Sequence, residues 1–197
     1  MNSAKSQIEL YFNRYLSFTS NEIDSFYSAL EPRRYKKHEY LLSEGQVCRH
    51  RYFLTKGLVR SYYLNPKGVE QVVQFAVEQW WFTNFESFVS NQPSTLNIQA
   101  LEAVEVLCIE KGLLETHFDK NPKLERVFRI IAENTLIAIQ RRNEFYMKAS
   151  GEEKYEHLIT QIPQLVRRVP QYMIASYLDM TPEHLSTVRK RAGAAAS

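Results

Sequence analysis

Apolar positions at helical spacing open the chain. Ile8, Tyr11, Phe12 and Tyr15 recur three and four residues apart, which predicts an amphipathic helix. Thr19 followed three residues later by a glutamate is a capping box and predicts the start of a second helix. The inner face of this second helix is predicted to carry Ile23, Phe26, Tyr27 and Leu30.

The pattern changes after Pro32 to short segments rich in strand-forming residues. The turn sequence from Asn65 to Gly68 joins two alternating segments and predicts a hairpin. Many short strands separated by regular turns favour a small barrel or a jelly roll. The predicted strands lie around Arg34–Lys37, Tyr40–Leu42, Arg51–Lys56, Leu58–Leu64, Val69–Ala76, Ser94–Ala100 and Ala103–Glu110.

Helical periodicity returns from about Pro122 to Ala149. At about 1.5 Å per residue, this helix is long enough to bury one face on the barrel and another on a partner chain. Ser150 and Gly151 are predicted to break it. A further helix is predicted over about Glu152–Ile162, before Pro163.

Residues 170–191 predict two short helices joined by a tight turn. Pro170 suits the first turn of a helix, and Asp179 ends that helix because aspartate tolerates the left-handed conformation. Thr181 is a good N-cap, and Pro182 suits the first position of the second helix. This second helix is predicted to run to about Arg191.

Such a pair of helices is typical of a helix-turn-helix, whose second helix enters the major groove of DNA. Leu185 and Val188 would face inward. The polar residues expected near base edges are Thr181, Glu183, His184 and Thr187, and those expected near phosphates are Arg189, Lys190 and Arg191. The alternative is that the two helices simply pack as a helical hairpin. Residues 192–197 give no pattern of a β-hairpin wing and predict a disordered tail.

The composition of the 197 residues is that of a globular protein, with 44% hydrophobic and 13% aromatic residues. The net charge of +3 is only mildly basic and does not itself indicate a nucleic-acid partner. Cys48 and Cys108 fit neither a disulfide framework nor a cysteine cluster, and we expect buried, reduced thiols. Neither a signal peptide nor a membrane span is indicated, which predicts a cytoplasmic protein with no membrane partner.

Enzyme motifs are not found in the sequence. There is no glycine-rich phosphate loop, nucleophile elbow or paired-histidine helix, so we expect no catalysis. A metal-binding barrel needs two imidazoles two residues apart, but the residue two positions after His50 is Tyr52. We therefore predict no metal site and no cofactor other than an unidentified small-molecule effector.

The local sequence of the last quarter resembles the Crp/Fnr family of bacterial transcription regulators, in particular the Bacteroidetes-type members. The residues that carry this resemblance are Glu152–Leu158, Pro163, Arg168–Gln171 and Thr181–Ser186. The resemblance covers nearly the whole chain and implies an α+β fold. It implies a cyclic nucleotide-binding-like, cupin-like barrel or jelly roll over residues 1–120, a long dimerisation helix over 121–150 and a helix-turn-helix domain over 151–197.

The resemblance also implies a function. The expected protein is a homodimer that places two reader helices on a palindromic site in double-stranded DNA, with half-sites about 34 Å apart. Its barrel would sense a small effector. One alternative is a ligand-binding or interaction module whose helix-turn-helix no longer reads DNA, and a third class is a metal-dependent barrel enzyme.

The family's cyclic AMP-binding members carry a Gly-Glu pair and, further on, an arginine followed by Ser or Thr. Without gaps, Thr83 and Asn84 fall at the Gly-Glu pair, and Ser94 falls at the arginine. Thr95 keeps the hydroxyl, and Glu86 could supply a carboxylate only if the loop shifts. Because the arginine that would pair with a phosphate is missing, we predict weak or no binding of cyclic AMP.

An aromatic run occupies the same stretch, and it admits two interpretations. It could form a wall for a planar or apolar effector, or it could be core packing beneath a loop. The run consists of Trp80, Trp81, Phe82, Phe85 and Phe88, and the candidate effector residues are Trp81, Thr83, Asn84, Phe85, Glu86, Ser94 and Thr95. In the second helix, Thr187 stands where an arginine is common in the family, so the target sequence cannot be deduced.

Overall fold

The computed structural model describes the backbone of residues 4–195 and the side chains up to residue 191. Two compact units divide the chain. The first unit runs up to Tyr63 and resumes over Gln74–Glu133, and the second comprises Leu64–Val73 and the chain from Asn134 onward.

Helices and strands alternate along the chain as follows. The helices are α1 (Ala4–Phe12), α2 (Ser20–Tyr27), α3 (Phe85–Ser90), α4 (Lys111–Lys120), α5 (Pro122–Lys148), α6 (Gly151–Gln161), α7 (Leu165–Arg168), α8 (Gln171–Tyr177) and α9 (Pro182–Ala195). The strands are β1 (Glu31–Tyr35), β2 (Tyr40–Leu42), β3 (His50–Lys56), β4 (Val59–Leu64), β5 (Glu70–Ala76), β6 (Trp81–Phe82), β7 (Asn97–Ala100) and β8 (Val104–Glu110).

The strands form a sandwich of two four-stranded sheets. One sheet has the order β1-β8-β3-β6, and the other has the order β2-β7-β4-β5. Among the described residues no ladder joins the two sheets, so the barrel alternative of the prediction is wrong. The two four-stranded sheets fit the other alternative, the jelly roll. The cause lies in pairings between distant strands, such as β1 with β8, which alternation within one strand does not reveal.

The predicted hairpin is confirmed between β4 and β5. The backbone N–H of Gly68 donates to the carbonyl oxygen of Asn65 at 2.8 Å, and Gly68 adopts a positive φ of 74°. The Asn65 side chain accepts hydrogen bonds from the backbone N–H groups of Lys67 and Val69. These contacts fix the turn, because they pair backbone groups that the strands leave open.

The helix ends follow their capping residues closely. Thr19 and Glu22 form the predicted capping box at the start of α2. Ser150 and Glu153 form a second one, which starts α6 at Gly151 and explains the break after α5. Pro170 precedes α8 as an extended N-cap residue, so its predicted place inside the first turn is wrong by one position.

The C-terminal segment differs from the prediction of a disordered tail. Helix α9 continues past Arg191 to Ala195. Alanine has the highest intrinsic helix propensity, and the run of alanines explains why the helix continues. Residues 196 and 197 lie outside the described part of the chain.

An aromatic core packs on one face of the sheet that contains β3 and β6. Trp81 lies against Phe53, Phe12 and Phe26, and its ring centroid is 5.0 Å from that of Phe128 in α5. Core packing therefore accounts for Trp81, and Phe82 and Phe88 are also buried, whereas Trp80 and Phe85 are exposed. Each fully buried aromatic side chain stabilises the fold by about 1.5–3 kcal/mol.

Both cysteines are free and buried. Burial raises the pKa of the Cys108 thiol to about 11. Among the described residues, every helix is too short or too polar to cross a bilayer.

Candidate functional site

Helices α8 and α9 are joined by a tight turn built from two of the predicted residues. Asp179 has a φ of 56°, and the backbone N–H of Met180 donates to the carbonyl oxygen of Ala175 at 2.9 Å. Thr181 caps α9, since its side-chain oxygen accepts a hydrogen bond from the backbone N–H of His184 at 3.2 Å. The turn and the cap therefore fix where α9 begins.

The apolar face of α9 is narrow. Leu185 and Val188 are buried, and α9 packs against α6 and α8. This packing leaves the remainder of the helix surface in solvent. The predicted contact residues Thr181, Glu183, His184, Thr187, Arg189, Lys190 and Arg191 are all exposed.

Three of these exposed residues make contacts of their own within the second unit. Arg191 forms an ion pair with Glu152 at 2.8 Å. The Thr187 hydroxyl donates to the backbone oxygen of Glu183 at 3.2 Å. The His184 imidazole lies so close to Gly151 that a Cβ at that glycine would come within 2.6 Å of Nε2. Both His184 and Arg191 thus lie beside the start of α6.

Ser176 attaches α8 to the first residues of β5. The backbone N–H of Val72 donates to the Ser176 hydroxyl at 2.9 Å, and this hydroxyl donates to the backbone oxygen of Glu70 at 3.1 Å. The Gln71 side chain donates to the backbone oxygen of Ser176 at 2.7 Å. These three hydrogen bonds hold the first helix of the pair in place.

Arg142 of α5 reaches the end of α8. Its guanidinium lies 4.0 Å from the ring centroid of Tyr177 and donates to the backbone oxygen of that residue at 3.3 Å. It also lies 4.9 Å from the ring centroid of Tyr146. A cation between two aromatic rings stabilises this corner of the second unit.

The stretch predicted to contact an effector forms a short helix and a closed loop in the first unit. Asn84 caps α3, because its Oδ1 accepts from the backbone N–H of Ser87, and its Nδ2 donates to the Ser94 hydroxyl at 2.6 Å. The Ser94 hydroxyl donates in turn to the backbone oxygen of Leu96. Thr83 donates to the backbone oxygen of His50. The side chains of these three residues, Thr83, Asn84 and Ser94, are therefore already hydrogen-bonded within the chain.

Three other candidate effector residues lie at the surface. Glu86 and Thr95 are exposed, and Phe85 is 53% exposed. Ser94, which we expect from the sequence at the family's arginine position, is buried, with 3% of its surface accessible. The structure therefore brings Asn84 and Ser94 together and leaves Glu86 and Thr95 at the surface.

Two arginines in the strands were not identified from the sequence. Arg60 in β4 is buried, donates through Nε and a terminal nitrogen to the Gln99 side chain, and lies 4.1 Å from the ring centroid of Tyr62. Arg51 in β3 lies among three phenylalanines. A charged residue within an otherwise apolar strand is the signal that would have found both.

Glu31, His50 and Cys108 bring three potential metal ligands within 4.8 Å of one another. The guanidinium of Arg33, however, lies 3.0 Å from His50 Nε2 and 2.8 Å from a carboxylate oxygen of Glu31. A cation already lies between two of the three ligands, and the buried thiol has a raised pKa. This arrangement favours a polar cluster organised by Arg33 over a metal site.

The comparisons with known proteins agree with this geometry. Residues 32–121, which cover both sheets and α3, match the cyclic nucleotide-binding domain family. The matched segment comprises fewer than half of the 197 residues, so the match describes this domain and not the whole chain. No curated protein sequence matches the chain.

Solved structures of regulators share the fold. The c-di-GMP responsive global regulator CLP of Xanthomonas campestris aligns with a TM-score of 0.72 at 13% identity, over 90% of this chain and 93% of that one. FixK2 of Bradyrhizobium japonicum aligns with a TM-score of 0.70 at 19% identity, over 85% and 86%. The catabolite activator protein of Thermus thermophilus aligns with a TM-score of 0.59 at 15% identity, over 94% and 88%.

The resemblance to Crp/Fnr regulators inferred from the sequence is confirmed by the domain family and by these structural neighbours. At these low identities the likeness concerns the fold. Within the matched segment, Ser94 is the residue that we expect from the sequence at the arginine position of the cyclic AMP-binding members.

Proposed function

We propose that the chain is a homodimeric, DNA-binding transcription regulator of the Crp/Fnr type, in which α8 and α9 act as a helix-turn-helix. The cyclic nucleotide-binding domain senses a small effector other than cyclic AMP. The domain boundaries that we propose for these roles are residues 1–120, 121–150 and 151–197. A regulator of this kind acts in the cytoplasm, where its DNA lies.

The exposed polar face of α9 is the observation that carries this proposal. Leu185 and Val188 bury the opposite face, so the polar residues face away from the helices that support α9. Glu183 and Thr187 lie one turn apart near the helix start, where side chains can approach base edges. Arg189 and Lys190 follow, and their cations suit contacts with phosphates.

A second copy of the chain is the partner that we propose for α5. Residues 133–141 of this helix are exposed throughout, yet they include Leu136, Ile137 and Ile139, with 56%, 43% and 51% of their surfaces accessible. Aliphatic side chains grouped on one helix mark an interface. In a two-fold dimer the same patch of each copy covers the other, which hides both at once.

The effector prediction rests on the closed loop between α3 and β7. Ser94 has no charge to offer a phosphate, and Asn84 occupies its hydroxyl with a 2.6 Å hydrogen bond. A cyclic nucleotide would therefore place a buried phosphate beside groups that are already satisfied, which is unfavourable. An effector of different chemistry fits this chain better.

One observation favours the alternative, a ligand-binding or interaction module whose helix pair does not read DNA. The ion pair with Glu152 engages Arg191, which removes one of the three proposed phosphate contacts unless DNA displaces it. The charge left for phosphate binding would then come from Arg189 and Lys190.

The salt dependence of binding to a pool of random duplexes tests the role of α9. Affinity falls with salt in proportion to the number of phosphates contacted, so Arg189→Ala should lower the slope of log affinity against log salt by about 1. The matched control is Arg34→Ala, which removes a similarly exposed arginine from β1. Equal slopes for the two variants would contradict the proposed interface.

A further inference from the structure

Arg51 is a partly buried cation with no anionic partner among the described residues. Its guanidinium carbon lies 5.2 Å from the ring centroid of Phe85, 5.1 Å from that of Phe88 and 5.3 Å from that of Phe128. The Nε atom is fully buried and has no hydrogen-bond partner among the described residues. Burial alone lowers the pKa of this guanidinium, which stays charged.

Such an arrangement is costly for the folded protein. An arginine carries five N–H donors, and a buried charge is normally paired or hydrogen-bonded. The three rings supply cation–π attraction, but they accept no conventional hydrogen bond from the guanidinium edge. The buried Nε–H therefore lacks the oxygen atom that it would bind most favourably.

Trp81 provides a second donor of the same kind. Its indole Nε1 is also fully buried without a partner among the described residues. In the ladder between β3 and β6, Trp81 lies opposite Phe53, and Arg51 is two residues along β3 from Phe53. Arg51 and Trp81 are therefore diagonal neighbours on one face of the sheet, about 7–8 Å apart across the two strands.

Phe128 connects the two donors. Its ring centroid is 5.3 Å from the guanidinium carbon of Arg51 and 5.0 Å from the ring centroid of Trp81. Two unpaired donors thus meet the same ring of α5. Phe85 contacts the guanidinium with a side chain that is more than half exposed, and it is the part of the cage that a ligand can reach.

We propose that Arg51 and Trp81 form the binding site of a small organic acid, with the carboxylate between the two donors and an apolar body against Phe85. A carboxylate matches the fork of an arginine in two parallel hydrogen bonds. A phosphate dianion has more oxygen atoms than this apolar cage has donors, and burying it would leave them unsatisfied. The ligand class is therefore a monocarboxylate with an aromatic or aliphatic body.

This inference extends the proposed function, because it names a class of effector for the sensing domain. Ligand binding at Arg51 would change the contacts of Phe128 and so act directly on α5. The test is made without DNA, so a failure of this site and a failure of DNA binding are separate results.

Benzoate is the probe, and the N–H groups of Arg51 and Trp81 are the reporters. Both are visible in a proton–nitrogen correlation spectrum, with assignment by Arg51→Lys and Trp81→Phe. At constant ionic strength, millimolar benzoate should shift the two signals together along one saturating curve. Inorganic phosphate should shift them at least about 10-fold less effectively. Signals that do not move with benzoate, or that respond equally to phosphate, would overturn the proposal.

Variants separate this site from general attraction to a basic surface. Calorimetry should show that Arg51→Met binds benzoate about 10-fold more weakly or worse. Arg49→Met is the control, because it removes an exposed arginine just before β3. Phe85→Ala should weaken binding of benzoate more than binding of acetate, since only benzoate has an apolar body. Equal effects of Arg51→Met and Arg49→Met would contradict the site. If Arg51→Met does not fold, Arg51→Lys makes the same comparison with the charge retained, against Arg49→Lys.

Discussion

The hydroxyl of Ser176 makes the most sharply testable structural contact in the second unit. It accepts a hydrogen bond from the backbone N–H of Val72 at 2.9 Å and donates one to the backbone oxygen of Glu70 at 3.1 Å. Val72 is buried, so Ser176→Ala leaves its N–H without this acceptor in a place that water reaches poorly. A buried donor that loses its partner costs about 1–3 kcal/mol.

The substitution also has a small favourable term, because alanine exceeds serine in helix propensity by about 0.5 kcal/mol. Ser186→Ala is the matched control: it changes an exposed serine within α9 and keeps the propensity gain without the hydrogen bonds. For a chain of this size, 1 kcal/mol lowers the melting temperature by about 2–4 °C. We expect Ser176→Ala to melt about 2–12 °C below Ser186→Ala.

Calorimetry measures the melting difference, and amide hydrogen exchange locates it. In Ser176→Ala, the Val72 amide should exchange about 10-fold faster or more, while amides in β8 should be unaffected. Equal melting temperatures for the two variants, together with unchanged exchange at Val72, would refute the view that the start of β5 holds α8.

Three further outcomes are expected. Glu22→Gln should lower stability at pH 7, because the backbone N–H of Thr19 and the ammonium of Lys123 lower the pKa of the Glu22 carboxyl to about 2. This stabilisation is present above pH 4.5 and is lost as the pH falls towards 2. Equal melting temperatures of variant and wild type across that range would contradict it. Glu183→Ala should alter the preferred DNA sequence and leave the salt dependence unchanged, as measured by binding to a panel of single-base variants, and a uniform loss of affinity would reverse its assignment to base edges. Calorimetric titration with cyclic AMP should detect no micromolar binding, and such binding would show that Ser94 is compatible with a phosphate.

Local signals in the sequence predicted the helices and turns well. The capping box at Thr19, the turn at Asn65 and the left-handed Asp179 each depend on side chains acting within a few residues. Helix α5 followed from its periodicity alone. Helices α3, α4 and α7 were not predicted. For α3 the reason is that six residues within an aromatic run are too few to establish a helical period.

The non-local features could not be predicted in the same way. Alternation along β3 places Arg51 and Phe53 on one face, but it does not reveal that Phe128, from a distant helix, covers that face. The separation into two sheets likewise depends on which distant strands pair. The ion pair between Arg191 and Glu152 joins different helices and left no local signal.

Selection of bound duplexes from a random pool, at near-physiological salt, tests the central claim most directly, because weak non-specific binding is lost under these conditions. We expect enrichment of a two-fold symmetric site with half-sites about 34 Å apart. This enrichment should be lost for Leu136→Glu, which places a charge on the proposed dimer face. Benzoate is included in a parallel selection, so that a requirement for the proposed class of effector is also detected. A folded protein that enriches no sequence in either selection would contradict the proposed DNA-binding regulator and favour the interaction module.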